Sequence, residues 1–179
     1  RGSGRVVGII GPSGSGKSSL LRAGLLPRLR RLRSRWVLVP PMRPGDQPVC
    51  NLARSLAAAF DAQGRPRPVE LVERRLDDGV AGLRALALEL ADLHRAGDGD
   101  PPGVLLVIDQ AEELLTRSGT REQQTFLRLV RGAVGGEGPL WGVATIRSEF
   151  LSTSPERAGL AELVDDPLVV EPLSRTRLA

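Results

Sequence analysis

The chain has 179 residues, 41% of them hydrophobic and 26% charged, enough for one domain with a substantial core and a composition that excludes disorder as the default. A single Cys (Cys50) excludes an internal disulfide and a cysteine-based zinc site, a single His (His94) argues against a metal cluster or a His-dependent triad, and a reducing, cytoplasmic setting is expected. The net charge of +4 arises in a chain rich in Arg, Ala, Gly and Pro, and it is weak grounds for a nucleic-acid partner. No apolar run approaches a membrane span, the longest clean one being Val104 to Ile108, and no secretory segment opens the chain, so no membrane association is expected.

Residues 1–4, Arg-Gly-Ser-Gly, read as the remnant of a tag or linker. The only Met is Met42, and the chain is expected to be a piece of a longer protein. Val6 to Ile10 reads as a buried strand, and it runs into Gly11-Pro12-Ser13-Gly14-Ser15-Gly16-Lys17-Ser18, which fills the phosphate-binding pattern G-x-x-x-x-G-K-[ST] completely. Glycines let the backbone curl so that several N–H groups face one anion, and the helix that follows adds its positive dipole end. Lys17 reaches β- and γ-phosphates in such a loop, and Ser18 offers a hydroxyl to the Mg²⁺ that bridges them. With Ser19, these nine residues are the candidate nucleotide-binding set. Among 25 basic residues Lys17 is the only lysine, and it falls where a compact point charge fits a phosphate nest and a planar Arg fork does not.

Leu20, Leu21, Leu25 and Leu26 have helical spacing over 18–26, and Pro27 is expected to end or kink that helix. A short basic helix is expected over 28–35, with Arg28, Arg30, Arg31, Arg33 and Arg35 forming either a solvated face or a patch for an anionic partner. Trp36 to Val39 reads as the second strand, 43–48 as a turn, and Asn51 to Phe60 as a helix with Leu52, Leu56 and Phe60 on one face. After a Pro/Arg linker at 64–68, residues 69–96 are helical, with Gly79 separating two helices and His94 a surface or capping residue. Residues 97–103 form a loop.

Val104 to Ile108 suits a strand buried on both faces, and Asp109 ends it at the carboxyl edge, where open α/β sheets bind ligands. Asp109 is the candidate Mg²⁺ ligand opposite Ser18. Glu112 and Glu113 open the next helix, either complementing its dipole or, one of them, polarising an attacking water. A helix follows over 121–134, then a fourth strand over 140–146, after which Arg147 is placed to meet a γ-phosphate. Residues 148–164 look helical with interruptions at 154–155 and 159, Leu168 to Val170 forms a fifth strand, and Ser174 caps a helix that begins at the end of the chain.

Strands alternating with helices imply a parallel sheet in a three-layer α/β/α domain. The phosphate loop follows the first strand and the Asp-ended strand is the third, which resembles the P-loop NTPases with a strand added between the two motif strands. That resemblance implies a five-stranded sheet of order 5-1-4-3-2 and places Thr145 and Arg147 between the loop and Asp109. The set 11–27, Arg-Pro-Gly (43–45), Val-Ile-Asp-Gln-Ala-Glu-Glu-Leu-Leu (107–115), Ile-Arg-Ser-Glu-Phe-Leu (146–151) and Pro-Leu-Ser (172–174) resembles the STAND signal-transduction ATPases, in particular the bacterial novel STAND class. The resemblance implies an ATPase core over 5–174, the start of a truncated helical lid at 175–179, and an ATP/ADP switch with slow Mg²⁺-dependent hydrolysis. It also implies a fused WD-repeat sensor or protease-like effector and homo-oligomerisation on activation. Ala111 replaces the family's usual aromatic, which should loosen packing behind the motif, and Gln110 stands where many related ATPases place the catalytic Glu. The base therefore lies between Glu112 and Glu113.

Rival readings are a nucleotide-gated scaffold without turnover, a guanylate-kinase-like phosphotransferase and a nucleic-acid-binding ATPase. The kinase would need an acceptor surface, typically with tyrosines, and the chain has no Tyr. A regulatory GTPase needs a second Lys for guanine recognition, and a transporter ATPase needs Leu-Ser-Gly-Gly-Gln; neither is present.

Overall fold

The computed structural model describes residues 5–32, 35–95, 100–134, 138–151, 158–164 and 166–171. Five parallel strands form one sheet: β1 (Val6–Gly11), β2 (Trp36–Leu38), β3 (Gly103–Ile108), β4 (Leu140–Arg147) and β5 (Asp166–Val169). Their order is β2-β3-β4-β1-β5, the expected 5-1-4-3-2. The expected remnant at 1–4, Arg33, the Pro-Leu-Ser motif at 172–174 and the lid start at 175–179 lie outside the described residues.

Register brings the functional strand ends together. Gly11 pairs with Arg147, Ile10 with Ile146, and Ile108 with Ala144, so the phosphate loop, the end of β4 and the turn after β3 leave the sheet at one edge. The apolar run of β3 is buried throughout, as both-face coverage requires. On one face α3 (Pro48–Ala62), α4 (Val69–Asp77), α5 (Val80–Leu93) and α7 (Thr120–Val134), which follows the short α6 (Glu113–Thr116), build the larger core, into which Leu52, Leu56, Phe60, Phe126 and Val130 insert. Gly79 does separate α4 from α5, at φ 68, and His94 is the C-cap of α5, its Nδ1 2.9 Å from Gln63 Oε1. The opposite face holds a smaller cluster of Ile9, Leu21, Leu26, Leu105, Val107 and Val143 under the helical stretch that follows the phosphate loop. That stretch covers only part of the face, and Val7, expected in a buried strand, is 41% exposed.

The stretch departs from expectation at Pro27. It begins as α1 (Lys17–Ser19), widens to a π-helix over Leu20–Leu25, and continues as α2 (Leu26–Arg31). Leu26 N–H bonds to Leu21 O, five residues back, so the path widens before the proline arrives. Pro27 then sits in the first turn of a new α register, where its missing N–H costs little, and it does not end the helix. The separate basic helix at 28–35 is thus the end of the same path. Between β4 and β5 the described residues hold a 3₁₀ turn (Ser148–Phe150) and α8 (Ala158–Ala161), and the expected interruption at 154–155 lies outside the described residues. The fifth strand begins earlier than expected, because its pairing partner Val7 reaches back to Asp166.

Candidate functional site

The phosphate loop joins β1 to α1 with Gly14 at φ 77 and Gly16 at φ 88, left-handed values that only glycine holds without strain. Gly16 is the N-cap of α1, and Ser15 N–H closes the loop on Pro12 O at 3.2 Å. Gly11 has no room for a Cβ, which would stand 2.3 Å from Val170 O and 2.7 Å from Ser15 Oγ. Lys17 is only 9% exposed; its Nζ donates to Gly11 O (2.8 Å) and Pro12 O (2.7 Å), with Ser15 Oγ at 3.5 Å. The ammonium is folded over the loop that it would share with phosphate.

Asp109, fully buried, faces the loop from the end of β3. Its Oδ1 accepts from Ser18 Oγ and Thr145 Oγ1, both at 2.8 Å, and Oδ2 accepts from Arg22 Nη2 at 2.8 Å, with Arg43 Nε 3.9 Å away. Thr145 also accepts from Gln110 N–H (2.8 Å), while its carbonyl takes Ala111 N–H (2.9 Å), so β4 fixes the turn after β3. Gln110 holds that turn at φ 58. Ala111 is fully enclosed by the core, so the missing aromatic leaves this position closed to solvent.

Burial pushes the Asp109 carboxyl up, but the hydrogen bonds from Thr145, Ser18 and Arg22, with the charge of Arg22, outweigh it and hold the group below its ordinary value. Asp109→Asn should therefore lower metal-free folding stability by about 2 kcal/mol at neutral pH, the scale of a lost charged hydrogen bond. Because the folded pKa is depressed, this stabilisation is complete above the unfolded value of about 3.9 and disappears as pH falls through the folded one. Denaturant unfolding in EDTA should show the gap between wild type and variant closing on acidification; a widening gap would contradict the assignment.

The two glutamates diverge. Glu112 is buried at the cleft, its Oε1 3.0 Å from Arg147 Nε and its Oε2 accepting the Arg147 N–H at 3.4 Å. Burial pushes its carboxyl above the ordinary value, against the opposing pull of Arg147 and Lys17. Glu113 faces elsewhere: its Oε2 accepts Gly45 N–H at 3.0 Å, and Arg117 Nη1 stands 4.0 Å from Oε1. A cleft of about 270 Å³ opens between these parts, lined by Ser13, Gly14, Gly16, Lys17, Ser18 and Ser19 on one side and Gln110, Glu112, Thr145 and Arg147 on the other. Of the candidate residues, Gly11, Pro12, Ser15, Asp109 and Glu113 are not part of this lining.

Ser18 and Asp109 supply hard oxygen donors 2.8 Å apart, and the described residues contain no cluster of three or more His, Cys, Asp or Glu able to cage a metal. This donor set fits Mg²⁺, which keeps waters and phosphate oxygens for most of its octahedron. Two residues that the sequence placed in motifs but not in the site bear on it. Arg22 lies one helical turn past Ser18, an i, i+4 relation that could have flagged it. Arg43 comes from the turn after β2, and no sequence spacing relates it to Asp109.

A family model described as Novel STAND NTPase 1 matches residues 1–179. No curated protein matches the chain. Among solved structures, a Walker-type ATPase of Pyrococcus abyssi is similar at 17% identity over 97% of this chain and 51% of that chain, with a TM-score of 0.56. The ORC2 protein of Aeropyrum pernix, in ADPNP–ADP complexes, is similar at 13% identity over 95% and 43%, with a TM-score of 0.55. A chain of the E. coli MS115-1 HORMA:CdnC:Trip13 complex is similar at 16% identity over 96% and 49%, with a TM-score of 0.50. The chain thus spans about half the length of these structures, and at such identities they share its fold. No helix among the described residues is long and apolar enough to cross a membrane.

Proposed function

Since the chain belongs to the Novel STAND NTPase 1 family, we propose that it is the ATP/ADP-binding switch of a signal-transduction ATPase, with slow Mg²⁺-dependent hydrolysis. The observation that carries this is the convergence on one cleft of the only lysine, the Ser18–Asp109 pair and the Glu112–Arg147 pair. Loop N–H groups from 13 to 18 would cradle the phosphates, and Lys17 would exchange the Gly11 and Pro12 carbonyls for β- and γ-phosphate oxygens. Ser18 and Asp109 would hold Mg²⁺, which when bound would supply charge neutralisation for the phosphates. Arg147 would leave Glu112 for the γ-phosphate, which frees Glu112 to take a proton from the attacking water.

The closed Glu112–Arg147 pair also supports a second reading, a nucleotide-gated scaffold with no meaningful turnover. Glu113, which holds Gly45, fits a structural role better than that of the base. A fused WD-repeat sensor or protease-like effector, and homo-oligomerisation on activation, belong to the same proposal and rest on the family. Localisation in the cytoplasm belongs to the same proposal.

A ligand with equal affinity for two states shifts neither, so a switch must bind ADP and ATP unequally. Titrations of the protein with MgADP and with a non-hydrolysable MgATP analogue should differ by about tenfold, or 1.4 kcal/mol, in favour of ADP. Equal affinities, or binding of neither, would remove the switch.

A further inference from the structure

Asp109 meets two cations on the side away from Ser18. Arg22 Nη2 is 2.8 Å and Arg43 Nε 3.9 Å from the same carboxylate oxygen, and both side chains are about half exposed, at 53% and 52%. Neither arrives by accident of a long side chain. Arg22 is fixed one turn past Ser18 in the π-helical segment. Arg43 is presented by a turn pinned at three points: Gly45 N–H on Glu113 Oε2 (3.0 Å), Ser118 Oγ on Gly45 O (2.6 Å) and Asn51 Nδ2 on Pro44 O (2.8 Å). An isolated ionised carboxylate without exposure is costly, and one guanidinium at 2.8 Å already pairs it. The second adds positive charge on the same carboxylate oxygen, beside the group that would serve a divalent ion.

We propose that Arg22 and Arg43 are positioning residues that set the Mg²⁺ requirement of the site. Arg22 bonds Asp109 and Arg43 adds its charge on the same oxygen, so both compete with Mg²⁺ for the carboxylate. The inference rests on reading Ser18 and Asp109 as the metal end of the cleft. Its physical basis is competition for one carboxylate: guanidiniums and a divalent cation repel each other at these distances, so pairing with one weakens pairing with the other. While the arginines hold Asp109, Ser18 and Thr145 stay aligned on Oδ1, and phosphate entering without metal meets a neutralised carboxylate. Glu113 acts here through Gly45, by keeping Arg43 within reach.

The test is binding of a fluorescent ADP analogue, first in EDTA and then across a Mg²⁺ titration, in wild type, Arg22→Met, Arg43→Met and the double variant. Arg30→Met, which removes an exposed charge on α2, serves as the control. In the double variant the Mg²⁺ concentration for half of the affinity change should fall about tenfold, with weaker binding in EDTA; the control should match wild type. A metal-free thermal midpoint lowered in the double variant and recovered by Mg²⁺ is the second expected sign. An unchanged or raised Mg²⁺ requirement overturns the proposal, as does an equal fall in the control, which would mark a diffuse charge effect. If Mg²⁺ leaves wild-type binding unaltered and Asp109→Asn behaves as wild type, the metal-end reading falls and the proposal with it. Should the double variant not fold, the same comparison holds for the single variants.

Discussion

Lys17→Ala should lose nucleotide binding by about 100-fold or more and keep its fold. The ammonium is 9% exposed and already bonded to two loop carbonyls, so the loop is shaped around a donor of this size. Trading those carbonyls for phosphate oxygens turns neutral acceptors into charged ones, a gain of about 3 kcal/mol for two charge-assisted bonds, which converts to about 100-fold. The folded state loses less. Pro12 O keeps the Ser15 N–H, and the turn geometry rests on Gly14 and Gly16 rather than on the side chain. Lys17→Arg should lose nearly as much, since a planar fork cannot seat three donors within the loop. Fluorescent ADP titration with a thermal melt checks both halves: binding of Lys17→Ala within threefold of wild type would end the assignment of this loop as the phosphate site.

What could be read from the residues, and what could not, follows the range of the forces involved. The loop and the buried strand before Asp109 are local patterns, and the order of the sheet came from the resemblance to P-loop NTPases that they carry. Pro27 misled because a proline is a breaker only if the helix before it keeps α register, and the π-helical turn that accommodates it has no simple signature. Glu112 and Glu113 were inseparable by spacing. Their roles parted only when β4 delivered Arg147 to one and the 43–45 turn delivered Gly45 to the other, two tertiary contacts from opposite sides. Arg43 was hidden for the same reason: β2 and β3 are neighbours in the sheet but more than sixty residues apart in the chain.

Glu112→Gln carries the sharpest consequence, because it should move turnover and stability in opposite directions. If Glu112 is the base, the amide cannot take the proton, and hydrolysis should fall by 10²- to 10⁴-fold, the usual worth of a positioned general base. ATP binding should persist, since no loop donor is touched. Burial raises the folded pKa of Glu112, which means that the fold penalises its charged form. The stability the group lends is therefore fully present below its unfolded value of about 4.3 and lost as pH rises through the folded one. A permanently neutral isostere escapes that loss, so Glu112→Gln should unfold later than wild type at neutral pH, with the advantage vanishing in acid. By the same shift, the acid limb of the wild-type rate profile should lie above the ordinary glutamate range. Glu113→Gln is the matched comparison: its side-chain carbonyl can still accept the Gly45 N–H, and turnover should stay within about threefold of wild type. Turnover lost in Glu113→Gln and kept in Glu112→Gln would transfer the role of base to the residue that holds the 43–45 turn, and turnover indifferent to both would leave the scaffold reading standing.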